Sequence, residues 1–148
     1  TTDYLANQNR EPNLDLFLKF PSKELFILSI RSMGIGTVAY NESVEALYFR
    51  RKKGGVKRWE PDLLEELREQ EVWLRANRKD LLGTSSRDLR RPITKLLVLP
   101  NQTIIGRHPE HLYSILDDQR FLAIRRKATV FVLSEEQVID FIRAYLAR

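Results

Sequence analysis

Residues 13–32 constrain the fold more than any other part of this chain. Every even-numbered residue from 14 to 20 is apolar, and these alternate with Asp15, Phe17 and Lys19 in the two-residue period of a β-strand. Turn-forming residues follow at 21–23, and residues 24–31 are then almost wholly apolar. The segment therefore predicts a tight β-hairpin whose second strand is buried on both faces.

Three polar side chains lie on this predicted hairpin at positions where they can meet. Asp15 is on the first strand, and Ser29 and Arg31 are at the end of the second. Side chains two residues apart on a strand point to the same face, so Ser29 and Arg31 share a face that Asp15 can approach from the paired strand. One outcome of this arrangement is simply an ion pair between Arg31 and Asp15.

The rest of the sequence alternates between strand and helix patterns. Apolar runs bounded by turn residues indicate strands, and apolar side chains at three- and four-residue spacing indicate helices. Strands are expected at residues 43–51, 95–99 and 129–133, with a short extension at 37–40 and a polar loop at 82–92. Helices are expected at residues 61–79, 109–118 and from Ser134 onward. The expected order is thus β-β-β-α-β-α-β-α, in one α/β domain spanning residues 1–148 with an irregular segment at 1–12.

The final helix has its own start signal. Ser134 and Gln137 have the spacing of a capping box, in which each side chain bonds to the other residue's backbone. The apolar stripe that follows predicts its buried face, which would consist of Val138, Ile142, Tyr145 and Leu146.

The hairpin and the element order together resemble the PD-(D/E)XK nuclease superfamily, in particular its nuclease-related, NERD-like branch. The resemblance implies a restriction-endonuclease-like mixed sheet flanked by helices. In that superfamily the first strand carries a metal-binding Asp and the second ends in Glu-x-Lys. Here Asp15 matches the Asp, Ser29 stands in the place of the Glu, and Arg31 stands in the place of the Lys.

These two departures predict a degraded metal site. The resemblance implies Mg²⁺ held by two carboxylates and a backbone carbonyl, of which Asp15 supplies one carboxylate. The Ser29 hydroxyl is a poor Mg²⁺ ligand beside a carboxylate, and the Arg31 guanidinium cannot act as a base. The expected cofactor is therefore either none or Mg²⁺. A Mg²⁺ site would need a carboxylate from elsewhere, for which Glu45, Glu65, Glu66 and Glu69 are better placed than Glu24.

Positive charge is concentrated in one run. The chain carries 25 Lys and Arg against 20 Asp and Glu, a net charge of +5, and six of the cations fall within residues 50–58. Flexible cations can contact phosphates, and an aromatic beside them can stack on an unpaired base. The same run also fits a solubilising turn with Trp59 in the core. The nucleic-acid-binding candidates here are Arg50, Arg51, Lys52, Lys53, Lys57, Arg58 and Trp59.

Two smaller basic clusters follow. The second consists of Arg87, Arg90 and Arg91, and the third of Arg125, Arg126 and Lys127. Convergence of all three clusters on one face would favour DNA or RNA as a partner, whereas scattered clusters would carry little weight.

Several classes of protein are disfavoured by composition. The absence of cysteine excludes disulfides and thiolate metal sites, and it fits a cytoplasmic protein. No apolar run approaches the ~18 residues of a membrane span, so no membrane association is expected. His108 and His111 lack a third candidate ligand for a metal site. The chain begins at Thr1, as expected of a processed product or a domain cut from a longer protein.

Three functions remain open. The first is a nuclease-fold domain that binds nucleic acid through its basic clusters, with a degraded metal site. The second is an atypical Mg²⁺-dependent nuclease that uses a relocated carboxylate, with Arg31 steadying the charge of the transition state. The third is a protein-interaction or assembly domain. DNA against RNA, single against double strands, and homodimerisation are not decided by the sequence.

Overall fold

The computed structural model describes residues 15–32, 34–100, 102–126 and 128–148, and these form a mixed α/β fold, as predicted. The strands are β1 Leu16–Lys19, β2 Leu25–Ile30, β3 Gly36–Asn41, β4 Ala46–Arg51, β5 Val56–Arg58, β6 Ile93–Leu99, β7 Thr103–Ile105, β8 Tyr113–Leu116, β9 Gln119–Arg125 and β10 Thr129–Ser134. The helices are α1 Leu63–Asn77, α2 Lys79–Leu82, α3 Ser86–Leu89 and α4 Val138–Ala147, with 3-10 turns at Glu110–Leu112 and Glu135–Gln137. The irregular segment predicted at residues 1–12 lies outside the described residues.

The strands form two sheets. The large sheet has the order β1-β2-β6-β10-β9-β8, and the small sheet has the order β5-β4-β3-β7. Strands β2, β6 and β10 are parallel to one another, and the strands outside them pair antiparallel. The parallel neighbours β2 and β6 require a crossover connection. The chain between them forms β3, β4 and β5 of the small sheet and then α1, which leads back towards β6.

The predicted hairpin is confirmed. β1 pairs antiparallel with β2, and the turn is closed by hydrogen bonds between Phe20 and Glu24 and between Lys23 and Phe20. Lys23 has a positive φ of 72°, which lets the chain reverse at that residue. β2 is buried from Leu25 through Ser29, because it lies between β1 and β6 in the interior of the large sheet.

Helices cover both faces of the large sheet. The odd-numbered residues of β2, such as Leu25 and Ile27, belong to a core shared with α1 and the small sheet. The even-numbered residues, such as Phe26 and Leu28, belong to a second core formed with α4. Each fully buried leucine or phenylalanine contributes about 1.5–3 kcal/mol of transfer free energy, so these two cores hold α1 and α4 in place.

The expected three-stranded antiparallel unit divides between the two sheets. β3 and β4 pair with each other but not with β2, and they form the small sheet with β5 and β7. The break follows β2, where Gly34 adopts a positive φ of 91° that other residues rarely adopt. The predicted extension at residues 37–40 is therefore part of a full strand, β3, in a separate sheet.

The prediction of a helix at residues 109–118 is wrong. A 3-10 turn at Glu110–Leu112 leads into β8, which pairs with the unpredicted strand β9. Asp117 and Asp118 both have positive φ, 50° and 61°, as a two-residue hairpin turn requires. Leu112, Ile115 and Leu116 have helical spacing in the sequence, but turn chemistry and strand pairing decide the structure.

The end of the chain agrees with the prediction in part. The capping box of Ser134 and Gln137 is present, with the Gln137 Oε1 accepting from Ser134 N at 3.0 Å. The fully buried residues of α4 are Phe141 and Ala144, which were not predicted. Val138, Ile142 and Tyr145 pack partly buried against the same core, whereas Leu146 is exposed.

The helix predicted at residues 61–79 and the loop predicted at residues 82–92 also differ in detail from the structure. Asp62 caps α1 by accepting hydrogen bonds from Leu64 N and Glu65 N, so the helix begins after it. Residues 82–92, predicted as a loop, include the one-turn helix α3. Across the described residues, no helix is both long enough and apolar enough to cross a membrane.

Candidate functional site

The structure brings Asp15 and Arg31 together at the end of the hairpin. Asp15 Oδ2 accepts a hydrogen bond from Ile30 N at 2.7 Å and also from Arg31 Nη1, which forms an ion pair with it. Arg31 N in turn donates to Val98 O at 3.1 Å, which fixes the start of the side chain against β6. The ion pair considered from the sequence is therefore formed.

The Arg31 guanidinium lies among three oxygens. In addition to Asp15, Nη1 donates to Ile30 O at 2.9 Å, and Nη2 is 3.7 Å from Glu66 Oε1 of α1. We call the Asp15 carboxylate, the Ile30 carbonyl and the Glu66 carboxylate the oxygen cage. Two carboxylates and a carbonyl are ligands that a hard divalent cation prefers, and here a guanidinium occupies their centre.

Glu66 is held in this cage at some electrostatic cost. Burial raises the pKa of Glu66 above its ordinary value, and the neighbouring Glu69 and Asp15 carboxylates add to this against the opposing charge of Arg31. Of the helix glutamates considered from the sequence, Glu66 is the one that reaches Arg31, whereas Glu65 pairs with Arg68. Glu24 lies 3.7 Å from Arg148, away from this site.

Ser29 lies beneath α1 and does not face solvent. Its side chain is 1% exposed, and its Oγ accepts a hydrogen bond from Gln70 Nε2 at 3.5 Å. Ser29 thus shares a face with Arg31 as predicted, but helix α1 covers it. Gln70 was not singled out from the sequence, where it reads as one polar residue on a charged helix.

Next to Ser29 is a buried charge that sequence reasoning missed. Lys95, on β6, is 4% exposed and forms an ion pair with Glu71, which also accepts from Arg75 Nε at 2.8 Å. Burial alone would raise the pKa of Glu71, but the hydrogen bonds from Lys95 and Arg75 outweigh it and hold the pKa below its usual value. A lysine within an apolar parallel strand was the available signal, because an amine there needs a partner.

These residues do not fit the two-carboxylate Mg²⁺ site that the resemblance implies. Asp15 is occupied by a guanidinium, and the residue in the place of the second carboxylate is a buried serine. Within the described part of the chain, no three His, Cys, Asp or Glu side chains are grouped as metal ligands.

The two histidines do not form a site together. His108 is buried, with Nε2 accepting from Tyr40 N at 2.9 Å and Nδ1 donating to Gly106 O at 2.8 Å. Burial lowers the pKa of His108 below its ordinary value, which agrees with a neutral ring. His111 instead pairs with Glu42 at 2.8 Å on the surface.

The basic run at residues 50–58 forms the end of β4, a turn and β5, and we call it the basic hairpin. Arg50, Arg51, Lys52, Lys53, Lys57 and Arg58 are all exposed. Trp59, by contrast, is 5% exposed and packs against Phe49 with ring centroids 6.4 Å apart. The interpretation of Trp59 as a base-stacking residue is therefore wrong, because its side chain is part of the core. Tyr48 is the half-buried aromatic of the same strand pair.

The basic clusters do not converge. Arg91 precedes β6, whereas Arg51, at the turn of the basic hairpin, pairs with Gly36, whose N donates to Gln102 O beyond the other end of β6. A seven-residue strand is about 23 Å long, which separates the two clusters. Arg91 also pairs with Asp88 at 3.2 Å, and Arg90 Nε donates to Ser86 O.

Two side chains of the third cluster also contact other residues of the fold. Arg126 pairs with the helix cap Asp62 at 2.8 Å, and Arg125 donates to Ser114 Oγ at 2.7 Å. Lys127 lies outside the described residues. Among the described residues, the densest group of exposed cations is therefore the basic hairpin.

Compared with known proteins, the chain matches no family model, no curated protein and no solved structure.

Proposed function

We propose that this protein is a nuclease-like domain without metal chemistry that binds nucleic acid through its basic hairpin. The observation that carries the proposal is the exposure of all six hairpin cations on one short strand pair. Within the described residues, Arg58 alone among them is in an ion pair, 3.9 Å from Glu60. For the other five cations, no described residue is an ion-pair partner that must be released before they contact phosphates.

The oxygen cage supports the part of the proposal that concerns chemistry. Arg31 satisfies Asp15 and Glu66 with a permanent positive charge, and a guanidinium cannot act as a general base at neutral pH. Ser29 lies under α1, where it is closed to a substrate. The site stabilises the hairpin rather than activating water.

Binding of this kind depends on salt more than on sequence. Each phosphate neutralised by a lysine or arginine releases condensed counterions, so affinity falls steeply as salt rises. Contacts to phosphates position a protein but do not read bases, so we expect weak sequence preference. The restriction-endonuclease-like arrangement remains part of this proposal, as a scaffold that holds the hairpin.

A charge-neutralising variant tests the proposal. Replacing Arg51, Lys52 and Lys53 together with serine removes three phosphate contacts, and the slope of log affinity against log salt should fall by about 3. The matched control replaces Lys23, Lys79 and Arg143, which are exposed away from the basic hairpin. We expect the control to bind nearly as tightly as the unmodified protein. Equal losses in the two variants would show that only net charge matters and would contradict a site on the hairpin.

One observation favours a second candidate, the atypical nuclease. Glu66 is a helix carboxylate that lies beside the Asp15–Arg31 pair, where a relocated acidic residue would have to be. This function requires Mg²⁺- or Mn²⁺-dependent cleavage that is lost in Asp15→Ala. Cleavage that survives Asp15→Ala, or none at all, excludes it.

A further inference from the structure

The small sheet has one face in the core and one face outside it. Val38 and Phe49, which are register partners, point inward and are buried. Their neighbours along each strand point to the opposite face, because side chains alternate. This outer face is where the residues of the basic hairpin meet β3 and β7.

Two rows of side chains cross the outer face in register. The first row consists of Val56, Arg50, Thr37 and Ile104, taken from β5, β4, β3 and β7 in turn. The second row, beside it, consists of Arg58, Tyr48 and Ala39. Four adjacent strands about 4.8 Å apart make each full row about 14 Å wide.

The face is shallow in its middle and apolar at its edges. Thr37 and Ala39 are small, and Gly106 lies so close that a Cβ added there would be 3.1 Å from Thr37 Cγ2. Val56 and Ile104, at the two sides, are 60% and 61% exposed. An open groove of about 550 Å³ lies at the Arg50 end of this face, lined by Ile35, Thr37, Arg50, Lys52 and Ile104 among others.

The charge of the outer face indicates which kind of ligand it suits. The described strand residues that point to the outer face include Arg50 and Arg58 and no carboxylate. Tyr48 is adjacent to both arginines on this face, since Arg58 is its register partner on β5 and Arg50 is two residues further along β4. Cations flanking an aromatic ring on a flat, open surface complement a chain that alternates phosphates with planar bases.

We infer that the outer face of the small sheet binds single-stranded nucleic acid, with Tyr48 stacking on a base and Arg50 and Arg58 contacting the flanking phosphates. This rests on the proposed function and names its ligand class and site. A duplex keeps its bases stacked inside, so it can use the arginines but not the tyrosine ring. Four-stranded sheets that present aromatic side chains are suited to hold about two or three unpaired bases.

The test compares three probes by fluorescence anisotropy: a labelled oligothymidylate, a duplex of the same length, and inorganic polyphosphate as an unlabelled competitor. Tyr48→Phe keeps the ring and should bind the oligothymidylate like the unmodified protein. Tyr48→Leu keeps a large apolar side chain and removes the ring, and it should bind about tenfold more weakly. Tyr113→Leu is the matched control, since Arg120 covers that tyrosine at 4.3 Å on the large sheet.

The outcomes separate this inference from the proposal beneath it. Single-strand preference with loss confined to Tyr48→Leu supports the inference. Equal affinity for single strand and duplex, or binding unaffected by Tyr48→Leu, overturns the inference while phosphate binding by the basic hairpin stands. An absence of binding to every probe overturns both. Thermal unfolding of each variant shows that it is folded before its affinity is compared.

Discussion

At the scale of single residues, Arg31 holds the two carboxylates of the oxygen cage together. Its guanidinium is shared by Asp15, the Ile30 carbonyl and Glu66, so two carboxylates that would repel each other are held by a cation built into the chain. The ion pair of Asp15 with Arg31 is about three-quarters shielded from water, and it links the start of β1 to the end of β2. Glu66 of α1 lies 3.7 Å from the same guanidinium.

Removing the Arg31 guanidinium should let a metal ion bind among the oxygens of the oxygen cage. We expect Arg31→Ala to lower the free energy of unfolding by about 1 kcal/mol, a modest cost because the pair is partly solvated. Millimolar Mn²⁺ should then raise the unfolding temperature of Arg31→Ala and leave that of the unmodified protein unchanged. Thermal unfolding with and without Mn²⁺ measures both effects.

The control for that experiment is Arg31→Ala combined with Asp15→Ala, which removes one carboxylate of the cage. It should lose the response to Mn²⁺. A response that persists in the double variant would mean that Mn²⁺ binds elsewhere and that the cage is not a cation site.

His108 makes stability depend on pH. Its neutral ring accepts from Tyr40 N and donates to Gly106 O, and a protonated ring would lose the first of these bonds. Because burial lowers the folded-state pKa of His108, the unfolded chain binds a proton more readily. The stability that the neutral His108 ring contributes is therefore fully present above the ordinary histidine pKa of about 6.5. This contribution is lost as the pH falls below that value and through the lower folded-state pKa.

Denaturant unfolding between about pH 7.5 and about pH 5 measures this loss. His108→Gln removes the titrating ring, so it should show a smaller change over that range than the unmodified protein. His111→Gln, whose ring lies on the surface, should keep the full change. The same pH dependence in His108→Gln as in the unmodified protein would contradict the assignment.

At the scale of elements, α1 organises the candidate site. Leu63, Leu64, Leu67 and Leu74 bury its inner side in the core. The same side places Glu66 over Arg31, Gln70 over Ser29 and Glu71 over Lys95. This polar line follows from helical spacing, since Gln70 is four residues from Glu66, and Glu71 is four residues from the buried Leu67.

The buried pair under α1 predicts a non-additive response to mutation. Glu71→Ala leaves the Lys95 amine buried without its carboxylate and should cost about 3 kcal/mol, since breaking a buried pair is strongly destabilising. Glu71→Ala with Lys95→Met removes both charges and should cost clearly less than the sum of the single changes. Chemical denaturation of the singles and the double measures this coupling. Additive costs would show that the two side chains do not depend on each other.

Element by element, the sequence predicted what depends on local pattern. The hairpin of β1 and β2, helix α1 and the Ser134 capping box all have short-range signals, and all are present. β8 and β9 were misread because Tyr113–Leu116 is as compatible with a helix stripe as with a strand. The deciding residues, Asp117 and Asp118, act through backbone conformations that residue spacing does not show.

The candidate site was predictable to a similar extent. Asp15, Ser29 and Arg31 were placed together because strand parity fixes their face. The contact of Glu66 with Arg31 was not predictable, since it depends on where α1 crosses β2. The division of the strands into two sheets likewise decides which residues of the basic hairpin share a face with Tyr48.

At the scale of the whole molecule, the basic side chains divide between internal ion pairs and an exposed hairpin turn. Arg91 and Arg126 are tied to carboxylates that hold loops and a helix cap. The turn of the basic hairpin lies beyond the other end of β6, on the small sheet. A net charge of +5 is therefore unevenly placed, and association with a polyanion should be oriented by that end of the molecule.

The most direct measurement is a titration of the unmodified protein with labelled single-stranded nucleic acid at low and moderate salt. A parallel arm contains Mn²⁺, and its products are separated on a gel. Binding that weakens steeply with salt, with the nucleic acid intact in the presence of Mn²⁺, is the predicted result. Mn²⁺-dependent cleavage would contradict the structural interpretation of Arg31, and an absence of binding at both salt concentrations would contradict the assignment of the basic hairpin.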